Sequence, residues 1–332
     1  MKRILSGINP SSAKGLHIGN YFGMAKPALA LQQEGECFYF IADLHSLNTV
    51  FNPQEVAQNT MQIFTEFLAL GIDTTKTHFY VESDIPAIPY LQTILNNVVT
   101  VAELKRMHAY KDKMKDESAP DTISMGLFSY VVLQSADILA FHAHIVPVGE
   151  DQAQHIEMSR EIARSFNNRY GNIVTVPEVS IRKEVSRVTG IDGERKMSKS
   201  LGNDIPIFAD EAIVKKQIMT IKTDPARIHP TDPGDPAKNV TFTYLELLEY
   251  DQHDIDTMKE RYRNGTIGDV EIKKKLFEVF MDYFKPVRAK NEELKKNSDY
   301  INQLRKESAE KANKIADKTL QEVKKAVGFR SL

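Results

Sequence analysis

Five consecutive residues, Lys196, Met197, Ser198, Lys199 and Ser200, put two cations and two hydroxyls on one short stretch. Ammonium groups are compact charges on flexible stems, and hydroxyls both donate and accept, so the set suits a polyphosphate. A solvated basic loop is the commonest fate of such a run; the full string K-M-S-K-S makes it more specific. A second stretch, Ser6 to Tyr21, reads SGINPSSAKGLHIGNY and follows the apolar run RIL. Strand, small-residue loop and helix start is the usual layout of an anion site. Glycines let a ligand approach the backbone, and a helix start offers free N–H groups. Neither G-x-G-x-x-G nor G-x-x-x-x-G-K-[ST] occurs, so neither common phosphate loop applies.

Asp137 stands in LFSYVVLQSADILAF, an otherwise apolar run of helical length. An unpaired buried charge is costly. This carboxylate therefore reaches water, pairs with a distant cation, or faces a pocket and accepts from a ligand. In GEDQAQHIEMSREIARSF, Gly149, Glu150 and Asp151 make an ordinary acidic helix start. The functional alternative for Asp151 and Gln152 is to hold a ribose hydroxyl or an ammonium. His142, His144 and His155 lack the spacing of a metal site, and H-E-x-x-H is absent, so a metal-free reading is preferred. There is no G-x-S-x-G elbow. The single cysteine, Cys37, lies in the apolar run CFYFIADLH and reads as a packed thiol. One thiol excludes an internal disulfide, a cysteine-rich structural zinc and an iron–sulfur cluster.

Such groups need elements to hold them. RILSGI, CFYFIADL, THFYVES and AHIVPVG read as strands. NYFGMAKPALALQQEG, NPQEVAQNTMQIFTEFLALGI, IPYLQTILNNVVTVAELKRM and SMGLFSYVVLQSADILAF have helical length and period. The alternation predicts an α/β fold with a parallel, doubly wound sheet. Ligands then bind at the carboxyl ends of the strands, where SGINPSS, DLHSLN and PVGEDQ fall. From about Asn203 the character changes. DEAIVKKQIMTI is helical, TDPARIHPTDPGDP is a loop, and nearly everything after Asn239 reads as amphipathic helix. The final segment sets Ala312, Ile315, Ala316, Leu320, Val323 and Val327 along one stripe.

The 332 residues are ample for two domains, and 42% hydrophobic with 27% charged residues is ordinary for a globular chain. The net charge of −2 neither proposes nor excludes a nucleic acid. No apolar run approaches the ~20 residues of a membrane span, so no membrane partner is expected. Met1 runs directly into the first strand, which with the lone cysteine leads to the expectation of a reducing, cytoplasmic home.

HIGN (His17 to Asn20) followed far downstream by KMSKS resembles the paired signatures of the class I aminoacyl-tRNA synthetases. Between them GEDQAQHIE and ADIL look like the tryptophanyl-tRNA synthetase family, as do TDPARIHPTDPGDP and AEKANKIADKTLQEV, so the resemblance spans essentially the whole chain. It implies a Rossmann-like catalytic domain over 1–204, a helical anticodon-binding domain over 205–305, and a C-terminal helix over 306–332 packing back on the first. It implies activation of L-tryptophan by ATP with Mg2+, transfer to the tryptophan tRNA, and a homodimer. By the same resemblance, His17, Lys196, Ser198 and Lys199 are catalytic. The ATP contacts fall on Asn9, Pro10, Ser11, Gly19, Asn20, Gly149, Glu150, Asp151, Val188 and Lys196 to Ser200, Met197 included. Lys111 and Lys113 sit where related enzymes offer cations to the pyrophosphate. In the amino-acid pocket Asp137 accepts from the indole N–H, Tyr130, Gln134 and Gln152 meet the polar end, and Leu5, His45, Val146 and Val148 are walls. The HIGH-type motif ends in Asn20 rather than His, a variant the family uses. The alternatives are the sister tyrosine enzyme, another nucleotidyltransferase of the HxGH superfamily, and a non-catalytic RNA-binding paralogue. GEDQ and ADIL argue against the first, the long helical domain against the second, and the intact HIGN and KMSKS strings against the third.

Overall fold

The computed structural model describes residues 2–10, 15–113, 123–149, 152–181 and 188–330. Five strands, β1 (Arg3–Ile8), β2 (Glu36–Ile41), β3 (Thr77–Val81), β4 (Ile145–Val148) and β5 (Glu178–Ile181), form one parallel sheet in the order β3-β2-β1-β4-β5. This is the doubly wound α/β class expected. The helices of the first part are α1 (Ile18–Asn20), α2 (Lys26–Leu31), α3 (Asp43–Ser46), α4 (Pro53–Leu70), α5 (Ala87–Leu95), α6 (Val101–Lys105), α7 (His108–Lys113), α8 (Met125–Ala140) and α9 (Ala153–Tyr170). There follow α10 (Glu211–Met219), α11 (Val240–Leu247), α12 (Gln252–Arg263), α13 (Asp269–Lys295) and α14 (Ser298–Ala326).

Helices cover both faces, so strands read as apolar runs rather than alternations. In β2 the last five residues are all buried. Neighbouring residues still point to opposite faces. Ile4, Cys37, Tyr39 and Ile41 enter one core with α4 and the later helices. Leu5, Phe38, Phe40 and Tyr80 enter the other, with α5, α8 and α9. The α14 residues Ala312, Ala316, Leu320 and Val323 join this second core, with Ile315 and Val327 packed at its margin. Arg305 of α14 grips Asp84 beyond β3 through two bonds of 2.6 and 2.8 Å.

Three local expectations need correction. The segment from Ile88 to Met107 is two helices, because Thr100 and Glu103 build a capping box that starts α6 afresh. The segment after Asn20 passes through a π turn, Tyr21–Ala25, before α2. Pro27 has no N–H for the carbonyl one turn back, and the ladder widens there. Finally, β5 was not expected, since EVSI is only four residues long and takes its strand form from pairing with β4. Among the described residues no helix is long and apolar enough to cross a membrane.

Candidate active site

β1 is the switch point of the sheet. Its neighbours β2 and β4 lead to helices on opposite faces, which opens a crevice beyond the carboxyl ends of β1 and β4. Asn9 and Pro10 leave β1 there, the first exposed and the second buried, and Gly149 leaves β4 half-buried. Ser11, Glu150 and Asp151 lie outside the described residues, as does the side chain of Lys113. Lys111 is exposed on α7.

HIGN forms a closed turn. His17 caps α1: its Nδ1 accepts from the Asn20 N–H at 3.3 Å, while Asn20 Oδ1 accepts from the His17 N–H at 3.2 Å. The imidazole is 5% exposed. Burial, with Lys199 and Lys196 adding repulsion, pushes its pKa down to about 3, so it is neutral in the working range. The stretch is stitched to the chain after the K-M-S-K-S loop, with Ile18 N–H donating to Ile205 and Ile207 N–H to Leu16. Gly19 is where side chain has no room: a Cβ would stand 2.9 Å from the His17 ring and 3.2 Å from Met197 Cβ. Two motifs far apart in sequence thus meet at Gly19 and Met197.

Val188 and Met197 are buried, and Met197 N–H donates to Val188 at 2.9 Å, so both sit under the loop rather than in it. Lys196 is exposed and Lys199 half-buried, and the Ser198 and Ser200 hydroxyls bond each other at 2.9 Å. Asn203, which the sequence reading missed, ties the loop together. It is buried, accepts from Ser198 N–H at 2.7 Å, and donates to Lys196 carbonyl and Asp192 carboxylate. Gly190 lies directly beneath it.

The proposed amino-acid residues gather on the other side of the crevice. Tyr130, Gln134 and Asp137 recur at i, i+4 and i+7 of α8, hence on one face. Leu5 and Val146 are buried in the same core, and Val148 packs at its edge. Asp137 is 0% exposed; its Oδ2 meets His45 Nε2 at 3.2 Å. Its Oδ1 has no hydrogen-bond partner among the described residues. Glu82, also missed, approaches the same His45 nitrogen at 3.6 Å and accepts from Leu44 N–H. Burial, with neighbouring carboxylates adding to it, holds both Asp137 and Glu82 well above the usual carboxylate range, and burial pushes His45 down. Tyr130 OH bonds His155 Nε2 at 2.7 Å, and His155 Nδ1 bonds Gln152 Oε1 at 2.7 Å. His155 is thus the unpredicted link between two expected residues. His142 and His144 turn elsewhere, to Thr175 and to the Arg3 N–H. Among the described residues the group whose ligand atoms lie within 4.8 Å of one another is instead His45, Glu82 and Asp137.

A parallel nucleotide sheet, a capped HIGN turn at its crevice and a K-M-S-K-S loop packed on that turn define a class I aminoacyl-tRNA synthetase. More narrowly, residues 1–285 match the family of class I tRNA synthetases for W and Y, and the chain belongs to it. Among sequence relatives, the tryptophan--tRNA ligase of Rhodopirellula baltica is 40% identical over 99% of this chain and 100% of its own. That of Deinococcus radiodurans is 39% identical, with all of both chains covered. The crystal structure of the Campylobacter jejuni tryptophanyl-tRNA synthetase complexed with ADP and tryptophan superposes with a TM-score of 0.90. It is 38% identical, covering 98% of this chain and 100% of that one.

Proposed function

We propose that the chain is a tryptophan--tRNA ligase: it activates L-tryptophan with ATP and passes the acyl group to the tryptophan tRNA. The full-length relatives of that activity support the reading. Within the molecule one observation carries it, the acceptor Asp137 Oδ1, buried and without a hydrogen-bond partner among the described residues. An indole N–H only donates, and a carboxylate oxygen in an apolar wall is its complement.

In the first step the tryptophan carboxylate attacks the α-phosphate in line and pyrophosphate departs. In the second a terminal adenosine hydroxyl of the tRNA takes the acyl group, and AMP leaves. Such chemistry asks the protein for alignment and for charge placed where it develops. In this reading Lys196, Ser198, Lys199 and Ser200 grip the phosphates, and neutral His17 offers its outer ring edge beside them. Asn9, Pro10, Gly19, Asn20, Gly149 and Val188 shape the nucleotide bed. Ser11, Glu150, Asp151, Lys111 and Lys113 belong to the same proposal. The K-M-S-K-S loop offers cations and hydroxyls but no carboxylate, a donor set that suits Mg2+ borne by the phosphates. When bound, that ion would supply part of the neutralising charge for the leaving pyrophosphate.

On the other wall Asp137 accepts the indole N–H, His45 keeps it oriented, and Leu5, Val146 and Val148 enclose the ring. Tyr130, Gln134 and Gln152 hold the ammonium and carboxylate. The helices from residue 205 to 305 bind the anticodon, the 306–332 segment belongs with the catalytic part, and two copies act as a cytoplasmic dimer bridged by tRNA. Amino-acid-dependent ATP–pyrophosphate exchange, run over the twenty amino acids, tests the reading. Exchange with tryptophan alone is expected; faster exchange with tyrosine overturns it.

A further inference from the structure

Glu66 is an expensive residue in an unexplained place. It lies on α4, 1% exposed, in the stripe that otherwise buries Ile63, Phe67 and Leu70. A carboxylate loses its hydration there, and only well-placed donors offset the loss. It has two. Leu16 N–H reaches Oε2 at 2.6 Å across fifty positions of sequence, and Gln62 Nε2 reaches Oε1 at 2.8 Å. Leu16 immediately precedes the capped HIGN turn. The residue before it, Gly15, has φ +64 and passes so close that a Cβ would stand 2.2 Å from Glu66 Oε1. The backbone is thus folded around this carboxylate on its way into the turn.

We propose that Glu66 is a positioning residue for ATP: from α4 its carboxylate fixes Leu16 N–H, and so sets the His17–Asn20 turn before the nucleotide arrives. This rests on the functional reading above. The charged groups acting on it are Lys199 from the K-M-S-K-S side and Lys295 from the end of α13. Gln62 and Lys295 also line a cavity of about 630 Å³ between α4 and the α13–α14 junction. Burial raises the Glu66 pKa to about 7, against the opposing pull of Gln62, Leu16 and the two lysines. The anchor is therefore strongest when Glu66 is ionised, because a charged acceptor binds an N–H more tightly than a neutral one. It weakens as pH falls through neutrality.

Two substitutions in the whole enzyme separate this from a merely structural role. Glu66→Leu removes the acceptor and leaves Leu16 N–H unpaired; the KM for ATP should rise by about tenfold or more. The dissociation constant of tryptophan should stay within about twofold of wild type, since Leu16 is on the nucleotide side. Glu66→Gln keeps a neutral acceptor, so its KM for ATP should rise only about threefold. ATP's own terminal phosphate titrates near pH 6, so the pH readout is the ratio of the Gln variant to wild type in kcat/KM for ATP. That ratio should climb as pH falls from about 8 to about 6, because only the wild type loses its charge. If wild type exchanges with tryptophan but the Leu variant matches it in both constants, or raises both together, the Glu66 assignment is overturned. Should the Leu variant not fold, a ratio flat with pH in the Gln variant overturns it equally. A folded wild type that exchanges with no amino acid brings down the functional reading, and this one with it.

Discussion

Asp137, Lys199 and Glu66 are three ionisable side chains whose environments ask different things of them. The role proposed for Asp137, accepting the indole N–H, is tested by replacing the ring N–H of tryptophan with oxygen or sulfur. A site built around a hydrogen bond rejects an analogue lacking the donor by up to about 10⁴–10⁵. Wild type should do so in the exchange assay, and Asp137→Ala should handle analogue and tryptophan about equally. A variant that still prefers the N–H compound as strongly directs attention to Gln134. The chain has no tryptophan of its own, so in such titrations the ligand is the only indole present and its fluorescence reports binding directly. For Lys199→Ala the expectation is a fall in single-turnover adenylation on the order of 10²–10³ with little change in tryptophan affinity, the mark of a contact made in the transition state. Glu66 makes a prediction about stability. Its folded pKa of about 7 lies above its ordinary 4.5. A raised acid contributes stability that is fully present below about 4.5 and lost as pH rises through about 7. Glu66→Gln should therefore resist urea better than wild type at about pH 8, by on the order of 1–3 kcal/mol, and match it at about pH 4.5. Lower stability of the variant at the higher pH would show that the two donors fully offset burial.

Elements position these residues, and some of that was legible beforehand while some was not. The four expected strands are continuous apolar runs, which need only local reading, and the helices α4 and α8 announce themselves by length and period. β5 escaped because EVSI gains strand character only by pairing with β4. The meeting of HIGN with K-M-S-K-S was implied by resemblance; its physical cause, Gly19 lying on Met197, is a contact across the fold that no spacing reveals. Asn203, His155, Glu66 and Glu82 were missed for one reason. Each is a polar residue that sequence alone assigns to a surface, and burial makes it a tie between distant segments. Only Glu66 left a trace, as a charge at an apolar stripe position of α4. The loop gives an element-scale test. An added methyl at Gly190→Ala would fall 2.2 Å from Asn203 Nδ2 and 2.4 Å from Cγ. Asn203 must then release Ser198 or Lys196. Adenylation should fall by about tenfold or more, as expected when catalytic groups lose their alignment, while tryptophan still binds. Unaltered adenylation would mean that the loop assembles without Asn203.

At the scale of the molecule, the sheet has two cores of different origin. One is roofed by α4 and the helices from α10 to α13; the other is closed in part by α14, whose small residues Ala312 and Ala316 lie flat on it. Sequence showed the stripe but not what it would cover. Ala316→Asp places an unpaired carboxylate in that contact. It should lower stability by about 3 kcal/mol or more, seen as an early loss of the whole urea transition rather than of α14 alone. An independent early phase confined to α14 would make the helix an accessory.

The pairing of α14 with β3 also has a consequence in time. Arg305 finds Asp84 across 221 positions. On a ribosome β3 emerges long before α14 exists, and until α14 is made the second core, though already lined by α5, α8 and α9, lacks the cover that Ala312, Ala316, Leu320 and Val323 give it. Long-range closure of this kind is slow and leaves nascent chains prone to misassociation. A chain arrested before Ser298 should be cut readily by protease within the first eighty residues and held by chaperones. Release of the further thirty or so residues should make it resistant in a single step, so that the enzyme becomes usable only once its synthesis has passed α14.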